Sequence, residues 1–503
     1  MKKISILIIL LLCGMLSHAQ TVNEPHGPVV GNFNIELEGQ CIMNDNADQF
    51  VAYCGPVGAT LKRAYHFIVN YDKKHNTIAQ TQLTLDKDYF RVLAYDAGDS
   101  YFVTYMRYPK RTVFEYSTAF IPKNCQNDYV VAPQVATSFS IDWSGGTNIY
   151  DAVSPDQKRH AAAFVILNKK SIAEKFLFFV YDENGNELYA KTLSPEIYGD
   201  SFSVEGMQVT NDGEIVMLMR TGTKEHRNLN NSAVHLLVCN ADGAQSFVQP
   251  TDFGIVQSMR VLQLKNGNMF VGGYYTDEPS APTKGYFSYV FDTKEETFSE
   301  PHFYKFAANQ QPKHEMNLLG YFLYNTHCCA LHELPSGEVV MIGEHRCAIA
   351  VQNGPGVATY SHFADDIVYQ YFDANGEMEH NFTIRKNQGK NFPQYAGFDG
   401  CNTYTFPSIG ISFSSFVHDG QVYILYFDTQ ENFNKSNKQR AEPIKPAKNC
   451  IVLSKLEADG AFSQIIMLPG KTKKTIHELW NYDGSKIYFG MFGKDFSIEQ
   501  LEL

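Results

Sequence analysis

Tryptophan is nearly missing: the 503-residue chain has two, against 30 tyrosines and 36 phenylalanines. Its scarcity argues against a surface built to stack neutral sugars on broad aromatic platforms and leaves acidic sugars open. Helical periodicity is nearly absent as well, which argues against a helical bundle and against alternating strand–helix units. After Leu16 nothing approaches the roughly 20 consecutive apolar residues of a spanning helix. There is no Gly-x-Ser-x-Gly elbow, no phosphate loop and no His-Glu-x-x-His pair. Asp182-x-Asn184-x-Asn186 and Asn44-x-Asn46-x-Asp48 imitate the start of a calcium loop, but neither has an acid at the twelfth place, so turn chemistry accounts for them. Positive charge is in deficit, 42 Lys and Arg against 54 Asp and Glu, and the formal net charge of −12 disfavours wholesale nucleic-acid binding.

The N-terminus reads as an export signal. Lys2 and Lys3 precede an apolar run from Ile4 to Leu16, and Ser17-His18-Ala19 puts small residues at the −3 and −1 places. Cleavage is expected after Ala19. Residues 1–19 are then the signal peptide, 20–28 a linker and 29–503 the folded unit. Cys13 sits inside the apolar run after Leu12, which does not suit a lipidation site. The mature protein is expected to be exported to the periplasm, the outer surface or the medium, with no transmembrane segment. It would keep nine of the ten cysteines, an odd number that leaves at least one thiol without an intramolecular partner. Cys41 and Cys54 flank a candidate turn and could bridge, but buried thiols packed as small hydrophobes suit them better.

What the chain does have is a repeated hairpin. Met207–Arg220 reads MQVTNDGEIVMLMR and Val261–Tyr275 reads VLQLKNGNMFVGGYY. Each is an apolar strand, an Asp-Gly or Asn-Gly turn and a second, almost unbroken apolar strand. Such a pair is a strong hairpin signal because both turn residues tolerate positive φ. A second kind of hairpin follows each, as in LLVCNADGAQSFVQ. Eight turns of the first kind, from Asn44–Asp48 to Tyr482–Gly484, interleave with seven of the second kind. Four-stranded repeats of about 40–70 residues read as the blades of a β-propeller. The expected fold is all-β, a single propeller of eight four-stranded blades. Seven is the alternative, because the turn at Ser154–Lys158 lacks glycine. The last unit is one strand short, and residues 29–37 are expected to supply it. The turns Tyr181–Gly185 (YDENG), Phe372–Gly376 (FDANG) and Leu456–Gly460 (LEADG), with strands such as GEVVMIG, resemble uncharacterised secreted propeller proteins of Gram-negative bacteria. That resemblance implies a propeller and carries no assigned activity, so no site residue transfers.

Hairpin turns of both kinds are short, and the connections between hairpins are long: Thr221–Ser232, Thr276–Lys284, Phe306–Thr326, Ala348–Asp365, Lys386–Pro407 and Asp428–Lys448. Function concentrates on variable loops held by a rigid scaffold. Connections between second and third strands carry basic residues in seven blades. The candidate binding set is Lys62, Arg63, Lys110, Arg111, Lys224, Arg227, Lys435, Lys438 and Arg440. Arg107, Lys284 and Arg346 stand at matching places, and Asp277, Glu278, Asp365 and Asp366 interrupt the pattern. A second candidate is a zinc site. Around Pro335-Ser336-Gly337, a three-residue loop pairs Leu334 with Glu338. Counted outward, that register sets His327 opposite His345 and turns Cys329 and Cys347 to the same side. Two imidazoles and two thiolates suit Zn²⁺; no other cofactor is expected. The function these readings favour is a binding or scaffolding propeller for an anionic glycan or protein surface. The alternative is a polysaccharide lyase or hydrolase acting at the mouth of the central channel.

Overall fold

The structure is a computed structural model. It describes residues 37–43, 50–56, 66–71, 77–85 and 89–502, apart from stretches at turns and connections, of which 195–201, 222–232, 394–412, 434–440 and 442–448 are the longest. Strands account for nearly all of the regular structure, and among the described residues no helix is long and apolar enough to cross a membrane.

Eight antiparallel blades follow one another along the chain. Their innermost strands are Leu37–Met43, Phe90–Ala97, Thr147–Val153, Phe202–Val209, Ile255–Gln263, Asn325–Glu333, Phe413–His418 and Thr475–Tyr482. In blades 1 to 7 three further strands pair outward in chain order, except that in blade 2 the short strand Asp128–Val130 leaves to pair in parallel with the outer strand Thr77–Thr84 of blade 1; blade 8 has three described strands, ending with Phe496–Glu502. Each innermost strand touches its neighbours in the ring, and the first touches the last. The ring is therefore eight-bladed and closed on itself. Leu37 opens the innermost strand of blade 1 rather than ending an outer strand of blade 8; residues 29–36 lie outside the described residues.

Turn chemistry sets the register. In blades 4, 5 and 6 the amides of Gly213, Gly267 and Gly337 donate to the carbonyls of Thr210, Leu264 and Leu334 at 2.9, 2.9 and 3.0 Å. Those glycines have φ of 88°, 93° and 92°, a region that penalises a Cβ. Blade 3, the unit without glycine, makes the same turn with Gln157 at φ 60°. The Gln157 amide donates to the Ser154 carbonyl at 2.8 Å, and the Ser154 hydroxyl meets Asp156 Oδ1 at 2.5 Å. Side-chain hydrogen bonds thus replace a glycine, and the unit that had suggested seven blades is a full blade. Asp182 behaves as turn chemistry requires: its Oδ1 accepts from the amides of Asn184 and Asn186, both at 2.8 Å.

Two of the long connections are strand instead. Ala348–Asp365 lies inside a hairpin of Val339–Gly354 and Val357–Phe372, paired as far as Gly354 with Val357. The stretch from Cys347 to Phe363 has no charged residue, so nothing opposes continued pairing. His314–Asn317 and Gly320–Leu323 form a small hairpin within Phe306–Thr326. Cys41 pairs with Ala52, and Cys54 with Gly39, so the two cysteines are not directly opposite.

Blade-to-blade stacking forms the core. Ile215, Val216, Met217, Leu218 and Met219 are all fully buried: odd positions meet blade 3 and even positions meet blade 5. This two-sided burial is why the second strands do not alternate. Tyrosine is abundant because it fills these interfaces and ties one blade to the next. Tyr95 donates to the Asp182 carbonyl at 2.9 Å, Tyr189 to the Gly213 carbonyl at 2.8 Å, and Tyr274 to Gln370 Oε1 at 2.8 Å.

Two expectations follow for stability. Deleting residues 20–36 should lower the melting temperature by several degrees, because blade 8 otherwise offers a bare strand edge; an unchanged Tm would refute closure by this segment. Buried His160 stacks on Tyr95 with ring centroids 3.4 Å apart, and burial pushes its pKa down to about 4. The unfolded chain takes up that proton below about pH 6.5. Stability should therefore fall by on the order of 2–3 kcal/mol as pH drops from 6.5 toward 4. Burial lowers His235 and His332 to about 4 and His327 to about 3 as well, so they add to that limb. His160→Phe should remove only its own share, about 2–3 kcal/mol, in urea unfolding curves measured across the range.

Candidate functional site

The innermost strands are irregular where they approach the second-to-third strand connections. Pairing with the second strand is broken by a β-bulge between Val204 and Gly206, between Val256 and Ser258, and between Cys328 and Ala330. The extra residues are Glu205, Gln257 and Cys329. A bulge leaves a residue outside the ladder and re-aims its side chain. Here the bulges gather polar groups from blades 4, 5 and 6 at one end of the ring.

Each group reaches across a blade boundary or holds one that does. Glu205 accepts from Arg220 Nη2 at 3.1 Å, and Arg220 Nη1 donates to the Val256 carbonyl of blade 5. Gln257 Nε2 donates to Asn325 Oδ1 of blade 6 at 3.1 Å. The amide of Thr326 donates to Thr283 Oγ1 at 2.7 Å, and that hydroxyl donates to Gln257 Oε1. Arg260, the one exposed residue of its strand, donates through Nε to the Cys328 carbonyl at 2.9 Å. The Cys328 amide in turn donates to Ser258 Oγ at 2.8 Å.

Glu344 anchors the next layer. It is fully buried and accepts from Arg346 Nε at 2.6 Å and from Lys386 Nζ, which is fully buried too. Lys386 also donates to Gln388 Oε1 at 2.9 Å, and Gln388 Nε2 donates to the Phe427 carbonyl of blade 7 at 2.7 Å. Burial opposes the charge on Glu344, but Lys386 and Arg346 outweigh it and hold the carboxyl below its usual range. Burial, helped by Arg346, pushes His327 down to about 3, so the imidazole is neutral at physiological pH. Burial raises the Cys329 thiol against the pull of Arg346. Four cations (Arg220, Arg260, Arg346 and Lys386) face two carboxylates (Glu205 and Glu344); with buried Asp365 and the Asp366–Arg385 pair beside Lys386, five cations face four carboxylates, a surplus of one positive charge.

The bulge also corrects the zinc reading. The loop has the expected form, with the Leu334 amide bonded to the Glu338 carbonyl at 2.8 Å. From Glu333 opposite Val339 to Ala330 opposite Ile342 the register runs as anticipated. The extra residue at Cys329 then slips it by one. His327 faces Glu344, while His345 faces Thr326 and packs edge-on against Phe306. A slip of one residue turns side chains to the opposite face. His327 and His345 therefore lie on opposite sides of the blade, and Cys347 follows His345. Among the described residues no three His, Cys, Asp or Glu side chains are grouped so as to hold a metal.

Of the basic candidates, Lys110 is exposed at the end of a strand, opposite Val113. Lys62, Arg63, Arg111, Lys224, Arg227, Lys435, Lys438 and Arg440 lie outside the described residues. Arg107 is paired with Glu115 at 2.6 Å and Lys284 with Asp277, so with Arg346 three members of the wider pattern are engaged by acids of the same chain. The reading missed Glu205, Arg220, Arg260 and Lys386. The signal for two of them was present: Glu205 and Arg260 are charges inside innermost-strand segments, FSVEGMQV and IVQSMRVLQ.

No protein-family model and no curated protein matches the chain. Solved structures resemble it at the level of repeated blades. The Dos1 propeller is 9% identical with a TM-score of 0.44, covering 96% of this chain and 95% of that one. The WD40 domain of SCAP from fission yeast is 7% identical at 0.40, covering 97% and 95%. The propeller domain of the Trilobed protease from Pyrococcus furiosus is 10% identical at 0.34, covering 82% and 95%. The chain is a β-propeller. That assignment stands on its own eight sheets and their closed order.

The charge layer should dominate local stability. Glu344→Gln would leave Lys386 as a buried ammonium without a carboxylate and is expected to cost about 3–5 kcal/mol. Adding Lys386→Met should recover at least half of that loss. A single variant as stable as the parent in chemical denaturation would show that the pair is not needed.

Proposed function

We propose that the protein is an exported binding propeller that takes an anionic partner, an acidic glycan in the first instance, at the end of the ring where second strands hand over to third strands. The observation that carries this reading is the surplus of cations at the bulged inner strands of blades 4 to 6, on a chain whose net charge is −12. A positive niche on an acidic body attracts and orients a polyanion, with a reach of about 8 Å at physiological salt. Lys110 carries the same sign, and Lys62, Arg63, Arg111, Lys224, Arg227, Lys435, Lys438 and Arg440, which the sequence sets between second and third strands, would add to it. Each exposed charge adds roughly 0–1 kcal/mol, so affinity comes from several acting on one chain. An acidic protein surface offers similar charge and is the competing partner.

Polygalacturonate tests the proposal. Binding is expected at low salt and should weaken steeply as salt rises. Reversing Lys435, Lys438 and Arg440 to Glu should lower affinity by roughly tenfold and flatten the salt dependence. No binding by the wild-type protein at low salt, or equal binding after the reversal, counts against an acidic-glycan partner met through these connections.

A further inference from the structure

We infer that Arg260 is the fork of a subsite for one oxyanion group, a carboxylate in an acidic glycan, between the inner strands of blades 5 and 6. The ligand class rests on the proposed function; the subsite rests on geometry.

Arg260 lies on the innermost strand of blade 5, where every other residue is buried or half-buried, and it alone is exposed. On a strand flanked by blades on both sides, exposure opens onto the central channel. Its guanidinium is oriented through one atom: Nε donates to the Cys328 carbonyl beside the blade 6 bulge, at 2.9 Å. With Nε engaged there, the two terminal nitrogens form the end-on edge of the fork. That edge offers parallel N–H donors at the spacing of the two oxygens of a carboxylate. No carboxylate pairs with Arg260 among the described residues.

The surroundings favour an incoming anion. Glu205 is held by Arg220, Glu344 by Arg346 and Lys386 together, and Asp366 by Arg385, so these three acids are engaged by four cations. Arg346 and Arg260 both pull the Cys329 thiol down against its burial, so both cations act on the same small group. Burial keeps His327 neutral, so it adds neither attraction nor repulsion at neutral pH. A planar anion on Arg260 would make two charge-assisted hydrogen bonds with paired geometry. A lysine would keep the charge and lose the paired geometry.

The test uses the full mature chain and two variants, Arg260→Gln and Arg260→Lys. In calorimetry with trigalacturonate, Arg260→Gln is expected to lose at least about tenfold in affinity and Arg260→Lys most of that. A second readout needs no glycan: low millimolar sulfate should raise the melting temperature of the wild type more than that of either variant. Comparison against each variant's own baseline removes any loss of stability from the Cys328 contact. If the wild type binds no acidic glycan but shows a sulfate shift that Arg260→Gln abolishes, the glycan reading falls and the oxyanion subsite stands. Variants that bind trigalacturonate within twofold of wild type and shift equally in sulfate overturn the inference, whatever polygalacturonate does.

Discussion

Everything in this molecule depends on covering the second and third strands on both faces. Strands such as Ile215–Thr221 and Met269–Thr276 bury every apolar side chain, alternately against the blade before and the blade after. No blade can complete that burial alone, because a single sheet has two faces and covers neither. A row of blades would still leave its two end faces open to water. Contact between the innermost strands of blades 1 and 8 removes that exposed pair, so the ring is the arrangement in which the hydrophobic term is complete. Deep aromatic interfaces follow. Tyr105, Tyr116, Tyr274 and Tyr369 are fully buried, and burial holds the phenols of Tyr116 and Tyr274 neutral at any ordinary pH.

The same ring creates a place where charge is held at depth. Apolar stacking occupies most of the blade faces, and irregularities in the inner strands bring further polar groups into the interior. The bulges at Glu205, Gln257 and Cys329 supply them. Their hydrogen bonds run from blade to blade, so the polar layer closes the inner seam that apolar contact closes farther out. Glu344 shows what this requires: a fully buried carboxylate persists because two cations meet it within hydrogen-bond distance. The functional proposal grows from that layer, since its cations outnumber its carboxylates.

Much of the fold was legible because turns are local. Asn-Gly and Asp-Gly pairs, and the spacing of apolar runs around them, depend on neighbours two to five residues apart. Interleaving of the two turn series then counted the blades. Blade 3 shows where local reading needed side-chain chemistry, since Ser154 and Asp156 support a left-handed Gln157 that glycine would otherwise occupy. Ala348–Asp365 was less legible, for no breaker inside it other than Gly354–Gly356 distinguishes a long hairpin from a long loop. The candidate site was the least legible part. Its register hinges on one extra residue at Cys329, and nothing in the run NTHCCALHE marks which residue leaves the ladder.

The sequence by itself determined that the chain forms hairpins, how many blades they make and in what order, because turn geometry and strand burial are written in short windows. It determined as well that the balance of charge is acidic and that basic residues recur between second and third strands. Only the tertiary structure decided which charges meet. Arg220 with Glu205, and Arg346 and Lys386 with Glu344, are brought together by bulges and by blade packing. Arg260 is fixed by a carbonyl 68 residues away in the chain. A bulge forms where the stacking of whole blades makes an unpaired residue cheaper than a regular ladder, and that comparison involves groups from three blades at once.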